Sequence, residues 1–114
     1  MTALLNTHSL DELKSILEDE LFGITSLFAE QLPGEIESLQ AAVASGDTTA
    51  INRRGHSLKG SCANMGAEAL SQQAMRIEKA ALAGDMGVIQ DALAQLPTLA
   101  QDTLRAMREG GYLQ

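Results

Sequence analysis

Twice along the chain a small residue, a glycine and an aspartate follow one another, Ser45-Gly46-Asp47 and Ala83-Gly84-Asp85, and on both sides of each the apolar residues recur at helical spacing. A glycine closes a helix by taking a left-handed conformation that other residues resist, and an aspartate opens the next by accepting hydrogen bonds from its first free N–H groups. With so little chain between stop and start, consecutive helices have to fold back and run antiparallel. Two stop-and-start signals explain the likeness of the tripeptides without an internal repeat.

Ser9, with Glu12 completing a capping box, predicts a short first helix carrying Leu10, Leu13, Ile16 and Leu17. A second stretch runs through Ile24, Leu27, Phe28, Leu32, Ile36, Leu39 and Val43, and Pro33 inside it predicts a kink or a break. The third begins at Asp47 and ends near Asn64-Met65-Gly66, with Ile51, Gly55, Leu58, Cys62 and Met65 as its seam. Ala67, Leu70, Ala74, Ile77 and Ala81 form the fourth seam. The last holds Ile89, Leu93, Leu96, Ala100, Thr103, Leu104 and Met107, with Pro97 raising the same question as Pro33, before Gly110-Gly111 begins a frayed tail. Aromatic residues make up only 3 % of the chain against 45 % apolar, so the core is aliphatic, which suits helix packing better than strands. The predicted fold is all-α, an antiparallel up-down four-helix bundle with a short additional N-terminal helix, in one domain over residues 1–114 with its core at about 9–108.

A net charge of -7 argues against nucleic acid as a partner, and the absence of a basic amphipathic helix argues against a membrane surface. The N-terminal residues lack a basic segment and a long apolar run, which predicts a cytoplasmic protein, and a single cysteine agrees with a reducing compartment. That cysteine, Cys62, sits on the third seam roughly 120° around the helix from His56, so the two do not share a metal ion. His8 falls on what reads as an N-terminal tail, and no metal-ligand spacing occurs elsewhere. Ser57 and Ser61 lack the strand-turn-helix context of a hydrolase nucleophile.

His56 is the candidate for chemistry. It lies roughly 140° from the third seam, Gly60 roughly 180°, Ala63 roughly 120°, Asn52 roughly 100° and Lys59 roughly 80°, so these residues share an outward surface. A glycine inside a helix costs about 1 kcal/mol relative to alanine, and each of the two here calls for a reason. Gly55 is on the seam, where it lets a neighbouring helix come close. Gly60, one turn beyond His56 on the exposed side, removes a side chain that would crowd the imidazole.

The run His56-Ser57-Leu58-Lys59-Gly60-Ser61-Cys62-Ala63-Asn64-Met65-Gly66-Ala67 resembles the signature of the histidine-containing phosphotransfer family, and Leu70 and Ile77-Glu78 continue the likeness. The resemblance implies that His56 carries a phosphoryl group between receiver-domain aspartates in a multistep two-component phosphorelay. It also implies that Lys59 helps hold the phosphate and that Gly60 clears space for it. A polar residue on the following helix, often glutamine, orients the histidine in the family; Glu78 stands there, and a carboxylate can only accept, so it would hold an imidazole N–H. Gly55 occupies a place where the family often has alanine.

A neutral imidazole offers a free lone pair, and Lys59 with Arg53 and Arg54 favours that neutral state before pairing with the added negative charge afterwards. Phosphoryl transfer needs in-line positioning and charge neutralisation, usually with magnesium. The sequence near His56 has no carboxylate cluster, and the resemblance implies that Mg²⁺ and the acceptor aspartate come with the receiver partner. The chain is then a carrier with no cofactor of its own, not an enzyme. Its implied partners are the receiver domain of a hybrid sensor histidine kinase and a response regulator, which it meets as a monomer through small exposed neighbours such as Asn52, Gly60 and Ala63. A different reading makes it a helical-bundle adaptor that binds a signalling partner without transferring anything.

Overall fold

The computed structural model describes residues 2–114 and contains five α-helices: α1 Thr7–Leu17, α2 Glu20–Ser45, α3 Thr48–Asn64, α4 Glu68–Ala83 and α5 Met86–Glu109. No strand occurs among the described residues. Both stop-and-start tripeptides act as their residues dictate. Gly46 and Gly84 take φ of 74° and 69°, left-handed conformations that end α2 and α4. Asp47 then accepts from the N–H groups of Thr49 and Ala50 at 3.0 and 3.2 Å, and Asp85 from Val88 at 3.1 Å. In the fold α3 packs on α4 and α4 on α5, α2 touches both α3 and α5, and α1 lies against α2.

The predicted seams are buried but for one residue: Ile51, Gly55, Leu58 and Cys62 on α3, and Ala67, Leu70, Ala74, Ile77 and Ala81 on or beside α4, while Met65 caps α3 and is only half-buried. On α2 the buried line is Leu21, Thr25, Phe28, Leu32, Ile36, Leu39 and Val43, while Ile24 and Leu27 face outward. Thr25 escapes a reading by hydropathy because its buried hydroxyl is satisfied internally, donating to the Tyr112 carbonyl at 2.8 Å. Ile16 of α1 is likewise exposed.

Two local expectations are corrected and a third is narrowed. The cap of α1 is Asn6, not Ser9: the Asn6 carboxamide oxygen accepts the Ser9 N–H at 3.0 Å, which puts Ser9 in the first turn and His8 on the helix beside Glu12. Of the two outcomes expected at each proline, a kink or a break, the break does not occur, and α2 and α5 each run through as one helix. Leu32 and Ile36 flank Pro33 in the core, as Leu96 and Ala100 flank Pro97, so packing on both sides holds the helical path while the rings face outward. Nor does Gly110-Gly111 begin a frayed tail. Gly111, at φ 82°, turns the chain so that Tyr112 and Leu113 are buried; the Tyr112 hydroxyl donates to Asp11, and Lys14 donates to the Gly111 carbonyl at 3.2 Å.

Candidate functional site

The site is built on the contact between α3 and α4, and Gly55 makes that contact close. A Cβ at Gly55 would lie 3.2 Å from the Glu78 backbone nitrogen and 3.3 Å from the Ala74 carbonyl oxygen. With nothing there, the two backbones approach until side chains of α3 reach α4 directly. Asn52 donates to the Glu78 carbonyl at 3.0 Å, and Ser71 of α4 donates to the Lys59 carbonyl at 3.1 Å. These two bonds bracket Glu78 and fix its position along α3.

The Glu78 carboxylate then serves two partners. One oxygen, Oε1, accepts from Lys59 Nζ at 2.8 Å, and Oε2 lies 2.6 Å from His56 Nδ1. The Glu78 side chain is only 14 % exposed and that of His56 is 69 % exposed, so the acid sits beneath the ring and the ring stands in solvent. The hydrogen bond from Lys59 holds the Glu78 carboxyl below the ordinary range; partial burial opposes it, and the His56 contact and the Lys59 charge act with it. An ionised carboxylate cannot donate, so the 2.6 Å contact requires a proton on Nδ1, and it is in the neutral ring that Nε2 carries the lone pair.

The remaining predicted residues divide. Ala63 is exposed and Gly60 half-buried; an added Cβ at Gly60 would meet nothing within 4 Å. Gly60 therefore does not relieve a clash with the imidazole, which is drawn over to Glu78, but leaves open space beside it. Arg53 is exposed and makes no ion pair among the described residues. Asn52 faces α4 rather than a visitor, as its bond to the Glu78 carbonyl requires. Arg54 lies on the other flank of α3, where a groove of about 540 Å³ against α2 is lined by Glu30, Gly34, Glu35 and Ser57 among others. Ser71 was not anticipated. Its place seven residues before Glu78, two turns back on the same face of α4, is the signal that points to it.

Cys62 is buried, and burial, aided by the Glu35 carboxylate, pushes its thiol up to about 12, which leaves it without nucleophilic character. Among the described residues no group of three His, Cys, Asp or Glu side chains is placed to hold a metal ion, and no helix is long and apolar enough to cross a membrane. What the α3–α4 contact presents is an exposed imidazole bonded at Nδ1 alone, with a cation one turn away and open space beside it.

Residues 23–109 match the Hpt domain family. The chain is also similar to the crystal structure of histidine-containing phosphotransfer protein B (HptB) from Pseudomonas aeruginosa PAO1, with a TM-score of 0.87 and 25 % sequence identity, covering 94 % of this chain and 93 % of that one. No curated protein matches the sequence.

Proposed function

The chain belongs to the Hpt domain family, and on that premise we propose that His56 is its phosphorylation site, receiving a phosphoryl group on Nε2 from one receiver-domain aspartate and yielding it to another in a phosphorelay. The observation that carries this reading is the pairing of a 69 % exposed ring with a carboxylate 2.6 Å from Nδ1. That pairing leaves Nε2 as the nucleophile and aims the ring outward, where a partner's active site can reach it. No base within the chain is needed to free the lone pair.

Lys59 lies one turn from His56 and is 28 % exposed, close enough to turn its ammonium from Glu78 toward phosphoryl oxygens once they arrive. Arg53, exposed one turn before His56, adds a second cation to the same face. Gly60 and Ala63 keep that face low, so the loops of a receiver can approach the ring. The partner brings Mg²⁺ and the acceptor aspartate, and this chain acts as carrier and substrate. The donor is the receiver domain of a hybrid sensor histidine kinase and the acceptor a response regulator, both met in the cytoplasm by a monomer. In this reading α2 to α5 form an up-down bundle whose role is to hold α3 and α4 rigid, with α1 as an additional short helix, the whole forming one phosphotransfer domain.

The test is direct. A receiver domain phosphorylated on aspartate transfers label to the purified chain, the label is acid-labile and base-stable, and His56→Gln abolishes it. If no receiver from a panel labels the wild-type chain while one still binds it, the protein is an adaptor and not a carrier.

A further inference from the structure

We propose that α1 is an exchangeable helix: two copies of this chain open at Glu18 and trade α1, each docking it on the other's bundle. The proposal goes beyond the reading of His56 as a carrier and does not rest on it.

The junction of α1 with α2 lacks the signal that makes every other turn of the bundle. Those turns each have a glycine at positive φ, Gly46, Gly66 and Gly84 at 74°, 64° and 69°. Between Thr7 and Phe22 there is no glycine and no proline. Glu18 takes the glycine's part at φ 53° and ψ -125°, and Asp19 follows at φ -67° and ψ -21°. These are the angles of a type II′ turn, whose first central position belongs to glycine. Glu18 is the one non-glycine residue with positive φ among the described residues. Asp19 is already helical and gives α2 no side-chain cap. With Glu18 helical as well, the chain from Thr7 to Ser45 becomes one helix, and the carbonyls of Ser15, Ile16 and Leu17 gain the N–H groups of Asp19, Glu20 and Leu21. Local preference is for the straight helix, and tertiary contact bends it.

The contacts that bend it are not tied to one molecule. Leu10 is fully buried, with its Cγ 3.0 Å from the point where a Cβ on Gly66 would lie. The Asn6 N–H donates to the Gly66 carbonyl at 2.8 Å, and the Leu4 carbonyl accepts the Glu68 N–H at 3.0 Å, capping an α4 that has no side-chain cap of its own. Farther along α1, Asp11 accepts from the Tyr112 hydroxyl, and Lys14 donates to the Gly111 carbonyl at 3.2 Å. Every one of these bonds comes from residues 4–14, ahead of the hinge, so the same residues of a second copy can make them all. Exchange then keeps the contacts and releases the strain at Glu18, the condition under which a short hinge favours swapping.

The straightened segment also has an apolar side with nothing over it. Ile16, Ile24 and Leu27 are 76 %, 42 % and 52 % exposed, three of the four large apolar residues so exposed among the described residues. On one continuous helix they fall within roughly 80° of one another. Two straightened helices lying side by side cover this face, which adds to the drive for a second copy as the occupant. α3 and α4 keep their places, so the exchanged dimer presents the His56 site twice.

The experiment compares the wild-type chain with Glu18→Gly, which suits the turn, and Glu18→Ala, which suits the straight helix. Each is held at high concentration, and its association constant is measured by size-exclusion chromatography with light scattering. Association is expected to rise in Glu18→Ala and fall in Glu18→Gly, with about tenfold or more between them. In a dimer formed from ¹³C-labelled and unlabelled copies, isotope-filtered NOEs should join the Leu10 methyls of one copy to Gly66 of the other. Equal association of the two variants, a dimer whose Leu10–Gly66 contacts stay within one copy, or three chains that all remain monomeric overturns the proposal.

Discussion

The two long sides of the molecule are built on opposite terms. Where α3 meets α4, a glycine replaces a side chain and the backbones close until Asn52, His56, Lys59 and Ser71 all bond across the interface. Where α2 meets α5, Pro33 and Pro97 both line an apolar groove of about 290 Å³ with Leu32, Ile36, Ala100 and Leu104, and no side-chain hydrogen bond joins the two helices among the described residues. Polar geometry needs short, fixed distances, which the close side supplies. The open side is held by apolar contact alone, which tolerates slack. The exposed His56 stands on the close side.

The strongest way to break this contrast is to widen the close side. Gly55→Val places branched carbons where a single Cβ would already lie 3.2 Å from backbone, and backbone cannot rotate away as a flexible side chain can. The expected loss is about 1–3 kcal/mol in urea unfolding. Because the wedge sits under Glu78, the His56–Glu78 bond should go with it, and labelling of His56 should slow even in the fraction that remains folded.

The matching change on the open side is expected to do the opposite. Pro97→Ala returns an N–H that can bond the Leu93 carbonyl one turn back, adding about 1 kcal/mol if α5 closes around it. His56 labelling should be unchanged, since nothing in the groove reaches α3. A slowed transfer in Pro97→Ala would mean that the two sides are mechanically coupled.

How much of this was legible in the residues depended on whether the signal was local. Gly46-Asp47 and Gly84-Asp85 act through groups within four residues of themselves, and they ended and opened helices as read. The outward placement of His56 follows from helical angle alone, and its ring is indeed exposed. What failed were features decided by a distant partner. Thr25 is buried because Tyr112, 87 residues away, accepts its hydroxyl, so the face of α2 read from hydropathy was rotated toward Ile24 and Leu27. The residues after Gly110 look like a tail until Asp11, Lys14 and Thr25 are seen to hold them. For the site, Glu78 was legible through a motif, but the double use of its carboxylate was not, since spacing along α3 and α4 does not tell how closely they approach.

The close side also carries a charge signature that the open side lacks. Glu78 is held below the ordinary carboxylate range, chiefly by its bond from Lys59. A carboxyl whose folded-state pKa is depressed adds stability that is whole above its unfolded value and is lost as pH falls through the folded one. The wild-type chain and Glu78→Gln should therefore converge in stability at acid pH and part above the normal carboxylate range, with wild type the more stable. Parallel unfolding midpoints across that range would show that the Lys59–Glu78–His56 cluster contributes nothing to folding.

The smallest expected effect is the most informative about why a helix facing solvent keeps a glycine. Gly60→Ala adds a methyl that meets no heavy atom within 4 Å and removes the conformational freedom of a glycine in mid-helix. Stability should rise by up to about 1 kcal/mol. If Gly60 serves the fold, this variant is simply better. If it serves a visitor, the gain comes with slower transfer from a phosphorylated receiver, while labelling by phosphoramidate, which needs no docking surface, stays as fast as in wild type. That split between large and small donors separates space kept for a partner from space kept for the phosphoryl group itself, because loss with both donors would place the obstruction at the imidazole.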